Sequence, residues 1–137
     1  MGYDRKLDGR RGDGSKGHVL VVDDAAFAAK HLTKMLEEAE FKVIGVAENG
    51  EDAIKMYKEK SPDIDLVTLD VTMPKLDGIA TLEQLLALDS DARVVMVTAS
   101  GSENTVKKAL MLGAKNYIKK PLQYNDVVTH IEQAVRK

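Results

Sequence analysis

An open parallel sheet covered by helices on both faces is the α/β fold class that this sequence predicts. Five short β-branched runs alternate with five longer segments of helical period over about 120 residues. Three of the runs, Val19–Val22, Leu66–Leu69 and Val94–Val97, are apolar apart from Thr68, as strands buried on both sides are. Repeated β-α units of this size join neighbouring parallel strands through crossover helices.

The elements follow in order. A first strand over 18–23 ends in Asp23, and a helix over 25–39 repeats Leu32, Met35, Leu36 and Ala39 at helical spacing. A strand over 42–47 precedes a helix over 50–60, and a strand over 65–70 precedes a helix over 77–88. The fourth unit is a strand over 93–98 and a helix over 102–112, opened by Ser102 three residues before Thr105 and closed by Gly113. The last is a strand over 115–119 and a helix over 124–136, opened by Asn125, with Val127, Val128, Ile131 and Val135 on one face.

At 137 residues the chain has room for one domain with a substantial core. Residues 1–16 stand apart: they are rich in glycine, with five basic side chains (Arg5, Lys6, Arg10, Arg11, Lys16) against three acidic ones. So few apolar groups cannot offset the entropy of ordering, so a flexible tail is expected before a domain over 17–137. The formal charge of −2 argues against a nucleic-acid or membrane-surface binder, and an aromatic content of 4% argues against base stacking. With no cysteine, disulfides, thiolate metal sites and a cysteine nucleophile are excluded. The apolar runs fall far short of a membrane span, and the N-terminus lacks an apolar signal core.

Ligands of such sheets bind beyond the carboxyl ends of the strands. Strand one ends in Asp23-Asp24, strand three in Asp70 followed by Val71-Thr72-Met73-Pro74, strand four in Thr98-Ala99-Ser100, and strand five in Lys119-Lys120-Pro121. Three carboxylates on one sheet edge repel one another unless a cation sits among them, and Mg²⁺, with its preference for oxygen ligands, meets the need. Asp70 then stands as a nucleophile toward phosphorus, with Asp23, Asp24 and a carbonyl near Thr72 around the metal. Lys120 and Thr98 would contact the phosphoryl oxygens.

The residues Val21-Val22-Asp23-Asp24, Asp70-Val71-Thr72-Met73-Pro74, Val97-Thr98-Ala99 and Lys120-Pro121 are together similar to those of the response-regulator receiver domain, over residues 17–137. The resemblance implies a flavodoxin-like (βα)5 fold with strand order 2-1-3-4-5. It implies that the phosphohistidine of a histidine kinase donates a phosphoryl group to Asp70 with Mg²⁺ or Mn²⁺ bound, and that Lys120-Pro121 is a cis peptide. By the same resemblance Thr98 moves toward the phosphoryl group and Tyr117 rotates inward, altering the face made by the fourth helix, fifth strand and fifth helix. The runs Asp24-Ala25-Ala26-Phe27 and Asp70 to Ile79 are similar to the chemotaxis branch of the family. That branch implies a chemotaxis-type histidine kinase, the flagellar motor switch protein and a separate phosphatase as partners of a cytoplasmic monomer. No output domain is expected after residue 137, so the receiver itself delivers the message. It would be a phosphoacceptor that assists its own phosphorylation and dephosphorylation, not an enzyme. Thr72 and Ser100 stand where other family members carry acids or amides that orient a hydrolytic water, so a long-lived phosphoryl group is expected.

Plainer readings stand beside these. Asp23-Asp24 can be a helix cap, Thr98 a capping hydroxyl, Tyr117 an ordinary half-buried strand residue and Lys119 a solvated neighbour of Lys120. His18, His31 and His130 are too scattered for a metal site and read as structural or exposed. A phosphorelay shuttle shares the chemistry with a different partner. A metal-dependent phosphohydrolase would use Asp70 but lacks a second acid at positions 71 and 72. A flavin module of the same fold is disfavoured by an acidic pocket.

Overall fold

A computed structural model describes residues 15–71, 73, 77–99 and 103–135. The strands are β1 (Gly17–Val22), β2 (Phe41–Ala47), β3 (Leu66–Asp70), β4 (Val94–Thr98) and β5 (Asn116–Lys119). The helices are α1 (Ala26–Glu38), α2 (Gly50–Lys60), α3 (Gly78–Leu88), α4 (Glu103–Leu112) and α5 (Tyr124–Val135). All strand pairs are parallel, and the order across the sheet is β2-β1-β3-β4-β5, as the resemblance implied.

Alternation along the strands divides the core. Val19, Val21, Leu66, Val95, Val97 and Ile118 face α1 and α5, where they meet Leu32, Leu36, Val127 and Ile131. Leu20, Val22, Val67, Leu69, Val94 and Met96 face the other way, onto Ala53, Tyr57, Leu82, Leu85 and Ala109 of α2, α3 and α4. With both faces covered, β3 and β4 are buried along their whole length, which is why they read as apolar runs broken only by Thr68 before their polar ends. Among the described residues no helix is long and apolar enough to cross a membrane.

The predicted elements all form, with small corrections at their ends. β1 stops at Val22 rather than at Asp23, because an Asp23 carboxylate oxygen accepts from the Ala25 N–H (2.9 Å) and turns the chain there. The α1 N-cap is accordingly Ala25, so neither aspartate caps it. α5 begins one residue before Asn125, because the Gln123 carbonyl already accepts from the Val127 N–H at 2.9 Å. A short 3-10 turn over Ser61–Asp63, with Pro62 in it, was not expected. Asn49 caps α2 by accepting from Asp52 N–H at 2.8 Å, while its amide donates to the Asp52 carboxylate at 3.1 Å. Gly113 closes α4 at φ +128°, a conformation L side chains rarely adopt. The proposed cap Ser102, residue 136 and residues 1–14 of the expected tail lie outside the described residues. Lys16 pairs with Glu40 at 3.6 Å just before β1.

Candidate functional site

The register of the central strands brings three loops to one level. Asp70 ends β3 opposite Val97, Val71 N–H bonds the Val97 carbonyl (3.0 Å), and Lys120 N–H bonds the Thr98 carbonyl (2.8 Å). On the other flank Asp23 N–H bonds the Ala47 carbonyl at 3.0 Å. The backbone hydrogen bonds of the sheet thus continue one residue into each loop and fix where its first side chain starts.

Asp23, Asp24 and Asp70 converge so that a carboxylate oxygen from each lies within 4.8 Å of the others. Asp23 and Asp70 are buried and Asp24 is exposed. The Lys120 ammonium reaches in from the β5–α5 loop, 3.4 Å from Asp23 Oδ2 and 4.0 Å from Asp70 Oδ2. Three carboxylates so close in a partly desolvated space repel one another where Coulomb interaction is poorly screened, and the Lys120 ammonium offsets part of that repulsion. The remaining carboxylate oxygens are the hard, anionic donor set that a small divalent cation takes. The residues present therefore fit Mg²⁺, held by Asp23, Asp24 and Asp70.

Thr98 ends β4 with only 3% of its surface exposed, and its hydroxyl donates to the Ala99 carbonyl at 3.0 Å. Thr98 and the half-buried Tyr117 line one cavity of about 310 Å³, together with Val106, Leu110, Lys107 and Lys120. Lys120-Pro121 is a cis peptide, as the resemblance implied. Lys119 is exposed on the rim, and Lys120 is the lysine drawn inward. Thr72 and Ser100 lie outside the described residues, so their expected roles stay with the sequence.

Gly78 belongs to the site although nothing in the sequence analysis singled it out. A Cβ there would stand 2.6 Å from the Asp70 carbonyl oxygen, 2.7 Å from that of Val71 and 2.8 Å from Val71 Cα. Gly78 N–H also bonds the Val71 carbonyl at 3.1 Å. The start of α3 is therefore pressed against the backbone that carries Asp70, at a separation only glycine allows. The available signal was a glycine directly after Asp77, the α3 N-cap, which accepts from Ala80 N–H at 2.9 Å.

A doubly wound sheet with three acids and a lysine at the carboxyl ends of its strands defines the receiver class. Residues 19–132 match the response regulator receiver domain, and the chain belongs to that family. Within it, the chain is 45% identical to the chemotaxis protein CheY of Treponema pallidum over 133 residues, covering 97% of this chain and 92% of that protein. It is 42% identical to the CheY of Bacillus subtilis, covering 85% and 96% of the two chains. Among solved structures it superposes on the CheX–CheY–BeF3–Mg²⁺ complex from Borrelia burgdorferi with a TM-score of 0.87 and 43% identity, covering 92% and 95%. A receiver domain protein from Clostridium thermocellum gives a TM-score of 0.82 at 26% identity, covering 88% and 94%.

Proposed function

We propose that this chain is a chemotaxis response regulator whose Asp70 accepts a phosphoryl group from a histidine kinase. The observation that carries the reading is the meeting of Asp23, Asp24 and Asp70, within 4.8 Å, beside the ammonium of Lys120. A carboxylate oxygen of Asp70 attacks phosphorus. The new O–P bond forms as the N–P bond to the kinase histidine breaks, and the departing imidazole nitrogen keeps the electron pair. Asp23, Asp24 and Asp70 would hold Mg²⁺, which would supply neutralisation of the developing negative charge. Lys120 offers a second positive charge, and the Thr98 hydroxyl exchanges the Ala99 carbonyl for a phosphoryl oxygen. Hydrolysis reverses the modification: water attacks phosphorus, inorganic phosphate leaves and the Asp70 carboxylate returns.

The phosphoryl group adds negative charge at one end of the cavity that Thr98 shares with Tyr117. Movement of Thr98 frees space for the Tyr117 ring, and the face of α4, β5 and α5 changes shape for its partner. That cavity, at about 310 Å³, exceeds the roughly 150 Å³ that already accommodates a benzene ring. On this reading the chain works in the cytoplasm as a monomer that assists its own phosphorylation, receives its signal from a chemotaxis-type kinase and delivers it to the flagellar motor switch. The small hydroxyls Thr72 and Ser100 leave dephosphorylation to a separate phosphatase, for which a CheX-like protein is the candidate, given the Borrelia burgdorferi complex.

Amide spectra recorded with Mg²⁺ and beryllofluoride test the reading. Shifts at Thr98, Tyr117 and Lys120 that vanish in Asp70→Asn or without Mg²⁺ are expected. A chain that does not respond would overturn it. Binding of the responsive form to a phosphotransfer domain but not to a motor switch protein would make it a relay shuttle instead.

A further inference from the structure

We propose that His130 is a positioning residue for Tyr117, a fixed wall that holds the ring outward in the unmodified protein. The inference rests on the proposed function, in which Tyr117 moves. The two rings, one on α5 and one on β5, have centroids 5.9 Å apart and planes inclined at 36°, within the range of favourable aromatic pairs.

His130 is held in place without help from Tyr117. Its Nδ1 lies 2.8 Å from the Asp126 carbonyl oxygen and 3.2 Å from the Asp126 carboxylate. Both are acceptors, so Nδ1 carries the proton and the ring orientation is set from within α5. Its backbone is fastened to the strand as well, because the Asn116 amide donates to the His130 carbonyl at 3.2 Å and to Gln133 Oε1 at 3.0 Å. The side chain that meets Tyr117 is thus anchored on the helix, while its backbone is tied to the residue just before Tyr117.

Tyr117 has the opposite character. It is half-buried, packs at the margin of the core beneath α4, and lines the cavity that Thr98 closes at the far end. In this structure the ring rests against His130 while lining that cavity, and the proposed switch would carry it deeper toward Thr98. A ring rotated deeper toward Thr98 would leave the imidazole, so the contact with His130 would favour the arrangement seen here over the rotated one. A contact of this differential kind is what sets the population of a two-state element.

Removing the ring should raise the inward population roughly threefold to tenfold, the range expected for an aromatic pair. A phosphoryl analogue that binds the inward state then binds more tightly by the same factor, because the competent fraction has grown. Mere structural damage would weaken that binding instead.

The test is a beryllofluoride titration in saturating Mg²⁺, read on amide signals, with Tyr117 ring signals recorded before ligand is added. His130→Ala and His130→Gln both remove the ring, and both are expected to bind beryllofluoride threefold to tenfold more tightly than the native chain. Their Tyr117 signals should lie part-way to the liganded position before any ligand is present. His130→Phe, which keeps a ring, should stay close to native, and the effect of His130→Ala should disappear in a Tyr117→Ala background. A folded His130→Ala or His130→Gln protein with unchanged or weaker binding overturns the positioning role while leaving the proposed function intact. A gain that persists without Tyr117 does the same. A native chain blind to beryllofluoride overturns the proposed function and this inference with it.

Discussion

Tyr57 shows how one hydroxyl can tie two helices at the end of the sheet remote from the acids. It projects from α2 into the core, and its hydroxyl donates to Asp89 Oδ2 at 2.7 Å, just past the end of α3. Burial, then the hydrogen bond to the Asp89 carboxylate and its charge, push the Tyr57 pKa well above the ordinary tyrosine value, with Arg93 opposing. The protonated phenol is the form that holds the tie. A group whose folded pKa is raised stabilises the fold fully below its unfolded pKa and loses that contribution as pH climbs toward the folded value. Stability is therefore expected to fall once pH passes about 10, the ordinary value for tyrosine. Tyr57→Phe should cost about 1 kcal/mol at neutral pH and should flatten this alkaline decline. Urea midpoints measured across the alkaline range check both effects.

At the scale of elements, α3 and β3 depend on each other through Gly78. Backbone atoms lie at 2.6, 2.7 and 2.8 Å from where a Cβ would be, and backbone cannot rotate aside as a side chain does. Gly78→Ala should destabilise by about 1–3 kcal/mol through overpacking and move the strand end that carries Asp70. Acceptor activity with acetyl phosphate should then drop more than the melting temperature alone would suggest, which a combined kinetic and thermal measurement shows. The sequence offered only an ambiguous signal for this requirement, because a glycine after a helix cap looks the same whether or not another chain segment presses on it. The strands were easy to see for the opposite reason: β3 and β4 are covered on both faces, so composition alone marked them. Their ends were less clear, since hydrogen bonds such as that from Ala25 N–H to Asp23, not residue type, decide where a strand stops. Asp23, Asp24, Asp70 and Lys120 were legible because parallel topology sends every strand's carboxyl end to the same edge. The meeting of His130 with Tyr117 had no such signal, since it depends on how α5 wraps the edge of the sheet.

Taken whole, the molecule carries an electrostatic load at one edge that packing elsewhere must offset. Three carboxylates crowd together there, with the Lys120 ammonium beside two of them. Anything that relieves the crowding should stabilise the entire fold, because the acids come together only when it is formed. Asp70→Asn is therefore expected to melt higher than the native chain without Mg²⁺. Adding Mg²⁺ should raise the native melting temperature by several degrees, since ligand at a hundred times its Kd contributes about 2.7 kcal/mol. The mutant should gain less. Calorimetry with and without the metal distinguishes these outcomes, and a mutant that melts lower than the native chain in metal-free buffer would contradict them.

The bridge between Lys120 and Asp23 spans 97 residues of chain, with Asp70 between them in sequence. No fragment of the chain assembles the site: the first unit holds two of the acids, the third holds Asp70, and the lysine arrives only with the last. A nascent, nicked or partly melted copy offers an aspartate like any other. On the proposed function a pool of such molecules would perform its own quality control, because only intact copies would enter the tally.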